Sequence, residues 1–497
     1  MDSNANVRLR RPPQSMTDSQ SRANISLYGR KATTDQTSRN RVDDILMWTT
    51  SVLYILALTS TSLSVESRLP EPKPPTLPSA PVLSEGNVVN LLDKLVSYGP
   101  KIAGSEANEI HAKNFIVSEL EKLQAQSKRR FEIDLQYPSG CFTIEMMDPV
   151  TSCYRRVTNI VARLPGSNSK QTQRHALLMN CHFDTAIGSS GANDDGVSCC
   201  LLLEIIRVLS VSQYPLQNDV IFLFNGAEEN FLQASHGFIT QHRWRHTVRS
   251  FINIEASGAG GREVLFQAGP GNPWLMNTYI SNAPYPHTSI LAQEIFQAKL
   301  IPSDTDFRIF RDFGAIPGLD IAYCRNGYVY HTEFDRIQFL TPGSAQRAGD
   351  NVFKTMVALV NSTYLSQPGE FEHDRQQRMV FFDVLGLFAV SYPHWLGQLI
   401  DMGLVVMAFA RFVATARGRS AKGLIPDYGI VKLFVLTVAA LLLSAICIAL
   451  CVKLYTVIGL TMAWYSRPQL LIVLYVIPGF ITGYSVLSIA ARVLDAK

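Results

Sequence analysis

The chain has 497 residues, of which 47% are hydrophobic and only 17% charged, against about 25% charged in an average soluble protein. That balance excludes a disordered chain and argues against a wholly soluble one, and a net charge of +4 is too small to imply a nucleic-acid partner. With no internal repeat and no sustained heptad pattern, solenoids and fibres are excluded too.

In chain order, residues 1–44 are polar and carry eight Arg/Lys against five Asp. They read as a cytoplasmic tail, with Arg8-Leu9-Arg10 as a weak retention-like pattern. Ile45 to Val65 contains no charge and has roughly the 20 residues a bilayer-spanning helix needs. A signal anchor over 45–65 is therefore expected, since a cleavable leader would open with a short basic run instead. Residues 66–82 hold a proline-rich run, expected to be an extended linker standing off the membrane. A compact domain follows over 83–368, then a juxtamembrane segment over 369–395 and a membrane region of about three helices over 396–497.

In that last region Leu433 to Val452 and Pro468 to Ala491 are free of charge and long enough to span, and a weaker stretch, Leu396 to Ala410, contains Asp401. The loop at 411–429 carries Arg411, Arg417, Arg419 and Lys422 against Asp427, which by the positive-inside rule belongs in the cytoplasm. Four spans then leave both termini cytoplasmic and 66–395 lumenal or extracellular. On that side the sequon at Asn361 is open to glycosylation, and the one at Asn24 is silent. Cys141 and Cys153 bracket a short segment; a disulfide and two free thiols are both open readings.

The compact domain begins with helical apolar spacing over Val88 to Tyr98 and Ala107 to Gln124, after which strand-like and helix-like runs alternate. This predicts an α/β fold, a central mixed sheet flanked by helices. Four strand-like runs, Ala176 to Met179, Val220 to Phe224, Phe251 to Ile254 and Leu319 to Tyr323, are each followed by ionisable residues. Open α/β sheets collect ligand groups beyond the carboxyl ends of their strands, so these residues are expected to converge.

They form a coherent set. His182 and Asp184 lie two apart in extended chain and point to one side, so the carboxylate can orient a ligating imidazole. Gly188 to Gly196 contains Asn193-Asp194-Asp195-Gly196 before a helix with apolar residues at Val197, Leu201, Ile205 and Leu209. One acid would serve as an N-cap; here there are two. Glu228 and Glu229 follow an apolar strand, and adjacent side chains diverge, so one can bind a metal while the other takes a proton. Glu255 ends another apolar strand, where a lone carboxylate would be costly. His331 adds a second imidazole, with the Tyr330 phenol beside it. Two His with Asp and Glu suit a borderline metal such as zinc.

Through these segments the chain, over about Asn87 to Leu365, resembles the dinuclear-zinc aminopeptidases and carboxypeptidases, whose motifs are strand-His-x-Asp, Asn-Asp-Asp-Gly, Glu-Glu and Tyr-His. Residues 181–184, 225–230, 303–314 and 380–393 make it most similar to the endoplasmic reticulum metallopeptidase branch. The resemblance implies two zinc ions per chain, with His182 and Glu255 completing one site, Glu229 and His331 the other, and Asp194 bridging. It implies Glu228 as general acid/base, Asp184 as orienter of His182 and Tyr330 as donor to the oxyanion. Asp304, Asp306 and Arg308 would line or support the cleft, a structural ion pair being the alternative. Many relatives have Asp in place of Glu255, which bears on the amino-terminal recognition pocket.

The expected protein is thus a zinc metallopeptidase, an exopeptidase of aminopeptidase type, multi-pass in the endoplasmic reticulum membrane with its catalytic domain lumenal. Its partners would be a peptide or protein substrate and the lipid bilayer. Two alternatives stand beside it: a catalytically silent binding scaffold, and a single-zinc enzyme like the glutaminyl cyclases.

Overall fold

The computed structural model describes residues 46, 49–170, 174–212, 214–421, 429–460, 462–467 and 469–495. The tail at 1–44, with Arg8-Leu9-Arg10 and Asn24, and the part of the basic loop holding Lys422 and Asp427 lie outside the described residues. The chain divides into two units, 1–65 and 66–497. In the first, residues 49–65 are helical with mostly exposed side chains, and the Thr61 hydroxyl donates back to the Ala57 carbonyl at 2.8 Å.

The second unit is built on a seven-stranded mixed sheet of order β1-β4-β6-β5-β7-β9-β8. Its members are β1 (Glu132–Gln136), β4 (Asn159–Leu164), β5 (Ala176–His182), β6 (Asp219–Asn225), β7 (Val248–Ala256), β8 (Val264–Gly269) and β9 (Gly318–Tyr323). β6, β5, β7 and β9 run parallel at the centre, and β1, β4 and β8 pair antiparallel at the margins. The parallel strands are buried on both faces, as their near-continuous apolar sequences require. Alternation sorts them: Leu177, Met179, Cys181, Phe222 and Phe224 enter one core, and Leu178, Ile221, Leu223 and Phe251 the other.

The first core is closed by α1 (Glu85–Val96), α2 (Lys113–Gln126), α3 (Val197–Val211) and α4 (Ser344–Val360). α3 carries apolar residues beyond the one face that its spacing of four picks out, and it is buried nearly all round. It lies against β5 with α1, α2 and α4 packed over it. Outside the main sheet, β2 (Gly140–Glu145) and β3 (Pro149–Tyr154) form a hairpin in which Cys141 pairs with Cys153 across the ladder, and the two are disulfide-bonded.

The end of the proline-rich run is strapped along the domain. The Arg207 guanidinium donates to the carbonyls of Pro78, Ala80 and Val82 at 2.6–3.0 Å. Glu204, paired with Arg207 at 2.7 Å, accepts the Ser84 backbone N–H at 3.0 Å. Ser84 in turn caps α1, accepting from the Asn87 N–H at 3.3 Å. Prolines cannot pair as a strand but leave carbonyls free, and a buried arginine collects them.

After a second hairpin, β10 (Met379–Val384) and β11 (Phe388–Pro393), come α5 (His394–Ala421), α6 (Gly429–Val457) and α7 (Ile477–Asp495). Among the described residues, three helical stretches are long and apolar enough to cross a membrane: His394–Thr415, Phe434–Val457 and Ile472–Ala490. Their apolar side chains, such as Leu404, Phe409, Leu441 and Phe480, are exposed, which suits hydrocarbon and not water.

Candidate metal centre

The carboxyl ends of β5, β6 and β7 deliver His182, the Glu228–Glu229 turn and Glu255 to one spot, and the loops before α3 and after β9 add Asp194 and His331. His182 Nε2 lies 3.3 Å from Asp194 Oδ1 and 3.4 Å from Glu255 Oε2. His331 Nε2 lies 3.2 Å from Asp194 Oδ2 and 3.1 Å from Glu229 Oε2. Two donor triads thus share Asp194, one oxygen to each.

These spacings fit zinc. Ligand bonds of about 2.0–2.1 Å in a tetrahedron put neighbouring donors about 3.3 Å apart. The protonation state fits as well. His182 Nδ1 faces the Asp184 carbonyl at 3.1 Å, and a carbonyl only accepts, so Nδ1 carries a proton and Nε2 is the ring atom turned to the two carboxylates, free to ligate once a metal replaces its proton. Nε2 is buried without a hydrogen-bond donor among the described residues, as is Glu229 Oε1. Convergent acceptors of this kind need a cation.

The local charges agree. Burial alone would raise Asp194, yet the imidazoles of His182 and His331 override it and hold the carboxyl at about 2. Burial and the Asp194 charge push Glu229 up to about 7. His331 is raised to about 10: burial opposes the shift, but the hydrogen bonds to Asp194 and Glu229 outweigh it. The acids thus favour positive charge on both imidazoles, the place a metal would take. Glu228 is driven well above the carboxylate range by burial and by Glu255. Tyr330 stacks on the His331 ring at 3.7 Å, and burial together with Asp194 raises its phenol, leaving it a hydrogen-bond donor at neutral pH.

Asp184 does more than sit beside His182. Its Oδ1 accepts the Glu228 N–H at 3.0 Å and its Oδ2 the Glu229 N–H at 3.1 Å, with the His182 ring 3.5 Å from the same carboxylate. Neither Asp194 nor Asp195 makes the N-cap hydrogen bond to the helix. Asp195 instead accepts the His182 backbone N–H at 3.2 Å. Asp306 is buried and accepts from Asn180 at 2.8 Å and from Asn225, bracing two strand ends from below. Asp304 and Arg308 pair at 3.3 Å, and Asp304 also lines the cleft.

Three supports escaped the sequence reading. Asp335 takes the Asn193 N–H and side-chain amide on Oδ1 at 3.0 and 2.8 Å, and the Asp194 N–H on Oδ2 at 3.1 Å, so it holds the shared ligand's backbone. Buried Lys101 donates to the Ser190 carbonyl at 2.7 Å on the same loop. Asn253 donates to Glu255 Oε1 at 3.2 Å and to Asp320 at 2.9 Å. Asn253 gave a readable signal, a polar residue between Ile252 and Ile254 within a buried strand; Asp335 and Lys101 gave none beyond their proximity to motifs.

A cavity of 410 Å³ opens from the donors. It is lined by Glu228, Glu255, Tyr330 and His331 together with apolar side chains that include Val264, Phe266, Leu291 and Phe296. Asn361, the predicted glycosylation site, lies elsewhere, at the end of α4. Its amide donates to the carbonyls of Pro215 and Val357 at 2.9 and 2.8 Å.

Residues 159–356, which hold the parallel centre of the sheet and both donor triads, match the model of Peptidase family M28. Among curated proteins it is 42% identical over 478 residues to putative endoplasmic reticulum metallopeptidase 1-B of Caenorhabditis elegans, covering 93% of this chain and 52% of that one. It is 42% identical over 392 residues to endoplasmic reticulum metallopeptidase 1 of Homo sapiens, covering 77% of this chain and 42% of that one. The chain thus spans about half, or less, of the length of these relatives. A solved structure, BSAP, a zinc aminopeptidase from Bacillus subtilis, is similar at 13% identity and a TM-score of 0.43, over 57% of this chain and 97% of that one.

Proposed function

We propose that the chain is a membrane-anchored zinc exopeptidase, aminopeptidase in type, with its catalytic domain in the lumen of the endoplasmic reticulum. The M28 match and relatives named endoplasmic reticulum metallopeptidase support the class and the compartment. The helix at 49–65 and the three C-terminal apolar helices are suited to hold it in the bilayer. The observation that carries the reading is the division of Asp194, Oδ1 toward His182 and Oδ2 toward His331. A single-zinc centre would leave one of its oxygens, with Glu229 and His331, without a task.

His182, Asp194 and Glu255 would hold one zinc, and Asp194, Glu229 and His331 the other. Bound there, the pair supplies Lewis acidity toward the scissile carbonyl and toward water. Glu228, its carboxyl raised by burial and by the Glu255 charge and so made a better base, takes a proton from the attacking water and returns it to the leaving amine. Tyr330 donates to the oxyanion from the cavity wall. The apolar side chains that line the cavity, Val264, Phe266, Leu291 and Phe296 among them, suit an uncharged side chain of the peptide.

The test is elemental mass spectrometry and peptide hydrolysis on the full chain in detergent. Close to two zincs per chain are expected, falling in His182→Ala and in His331→Ala. Glu228→Gln should keep its zinc and lose about 10²- to 10⁴-fold in turnover. Near-zero zinc in a folded, supplemented sample refutes the centre; unchanged hydrolysis in Glu228→Gln refutes the base.

A further inference from the structure

A second cavity, of 420 Å³, lies at the amino ends of β7 and β9 and has no task in this reading. Val248, which lines it, precedes the metal donor Glu255 along β7 by roughly 23 Å at a strand's rise of about 3.3 Å per residue. Arg245, His246, Arg249 and Arg375 line the cavity, and no acid does among the described residues. Arg249 Nε donates to His175 Nδ1 at 2.8 Å. Burial and the Arg249 charge lower His175, so the ring accepts while neutral and brings no negative charge. Burial first, and then the Arg375 charge, lower the Arg249 guanidinium. Of the cavity's arginines only Arg375 has an ion pair among the described residues, with exposed Glu372 at 2.9 Å. Two guanidinium charges are then left to balance, which suits the charge of about −1.5 to −2 on a phosphate monoester at pH 7 better than a single carboxylate. Aromatic rings line the cavity too: Trp274 stacks on Tyr364 with centroids 4.8 Å apart, and Phe371 meets Tyr364 edge-on at 4.5 Å. Three residues past Arg375, the Arg378 carbonyl accepts the N–H of His394 at 2.9 Å, and His394 opens the first of the three apolar C-terminal helices.

We propose that this cavity binds a phosphate monoester carrying an apolar group, Arg249 and Arg375 taking the phosphate and Trp274, Tyr364 and Phe371 the apolar part. A membrane lipid with a terminal phosphate and a soluble phosphate ester offer the same chemistry. The short link from Arg375 to the foot of an apolar helix favours the lipid, since basic pockets beside membrane helices take lipid headgroups. The site stands apart from the metal donors, so the proposal rests neither on zinc nor on turnover. A lipid held there would tie the far end of the sheet to the bilayer surface without meeting a peptide at the metal centre.

The experiment is thermal unfolding of the full chain in a phosphate-free non-ionic detergent, titrated with dihexanoyl phosphatidic acid, with phenyl phosphate and, as a control without phosphate, with dihexanoyl glycerol. A saturable rise in the unfolding midpoint is expected with the phosphatidic acid and not with the control. Arg249→Gln and Arg375→Ala should each weaken that binding by about 10- to 100-fold. The ligand-free midpoint of Arg375→Ala should stay at the wild-type value, because its ion pair is exposed. Tighter binding of phosphatidic acid than of phenyl phosphate supports the lipid source, and equal binding supports a soluble ester. No saturable shift with either phosphate, a shift matched by dihexanoyl glycerol, or one that is equal in wild type and both arginine variants overturns the proposal. A phosphate can also meet a bound metal, so the titration is repeated in His331→Ala. The shift should persist there; its loss in His331→Ala with persistence in the arginine variants overturns the site. If Arg249→Gln does not fold, Arg375→Ala, at an exposed position, decides.

Discussion

Replacing Asp184 with asparagine separates two roles that the sequence merges. As an orienter of His182, Asp184 would act on the His182–Glu255 side of the centre. In the structure, however, the His182 ring proton goes to the Asp184 carbonyl, which Asp184→Asn leaves in place. The carboxylate is spent on the Glu228 and Glu229 N–H groups at 3.0 and 3.1 Å. Asparagine offers one oxygen where two are used, so one N–H comes to face an NH₂. The charge-assisted bond lost contributes about 1.5–3 kcal/mol, and the remaining one falls to an ordinary bond of about 1 kcal/mol. A total near 3 kcal/mol, roughly a hundredfold, then falls on the turn that carries Glu229 and Glu228. The expected result is selective: affinity for the zinc that Glu229 and His331 would hold weakens by about 10- to 100-fold, and hydrolysis falls with it, while the His182 side holds. Zinc retained against graded chelator should show two phases, assigned with His182→Ala and His331→Ala. Loss from the His182 side first, or two phases identical to wild type, would refute the argument.

Three further outcomes follow from particular contacts. Gly191 has φ +60°, and a Cβ there would lie 2.1 Å from Thr185 Cγ2 and 2.7 Å from the Asp194 carbonyl oxygen; Gly191→Ala should cost at least the 1–2 kcal/mol or so of a left-handed alanine and lower zinc content by displacing Asp194. His236, lowered to about 4 by burial, contacts the Tyr154 hydroxyl through Nδ1 at 2.7 Å. The unfolded chain takes up this proton near pH 6.5 and the folded one only near 4, so the stability contribution is whole above 6.5 and declines as pH falls toward 4. Chemical denaturation across that window should show a shallower acid limb in His236→Gln, and parallel limbs would remove His236 as the cause. Glycosidase treatment should shift the mobility of the wild type but not of Asn361→Gln; an unshifted wild type would leave Asn361 as a helix terminus only, bonded to Pro215 and Val357.

Much of the architecture was legible before any coordinate. Four apolar runs, each trailed by acids or histidines, located the parallel strands and the edge where ligands gather, because burial on both faces forces near-continuous apolar sequence and strand ends are where polarity can return. His182, Asp194, Glu228, Glu229, Glu255 and His331 could be named because each stands in a short motif whose chemistry is local. Charge-free runs marked two of the three helices that are long and apolar enough to cross a membrane, since a bilayer reads composition over about 20 residues.

What only the tertiary structure decided depends on groups brought together across long separations. The two oxygens of Asp194 are assigned to different triads by the crossing of the α3 and β9 connections. Asp335 folds back on Asn193, the end of the proline-rich run is captured by Arg207, and Arg249 and Arg375 come to one cavity. None of these has a local signature, because hydrogen-bond geometry is fixed at the scale of an ångström by packing, whereas sequence periodicity reports only which face of an element is buried.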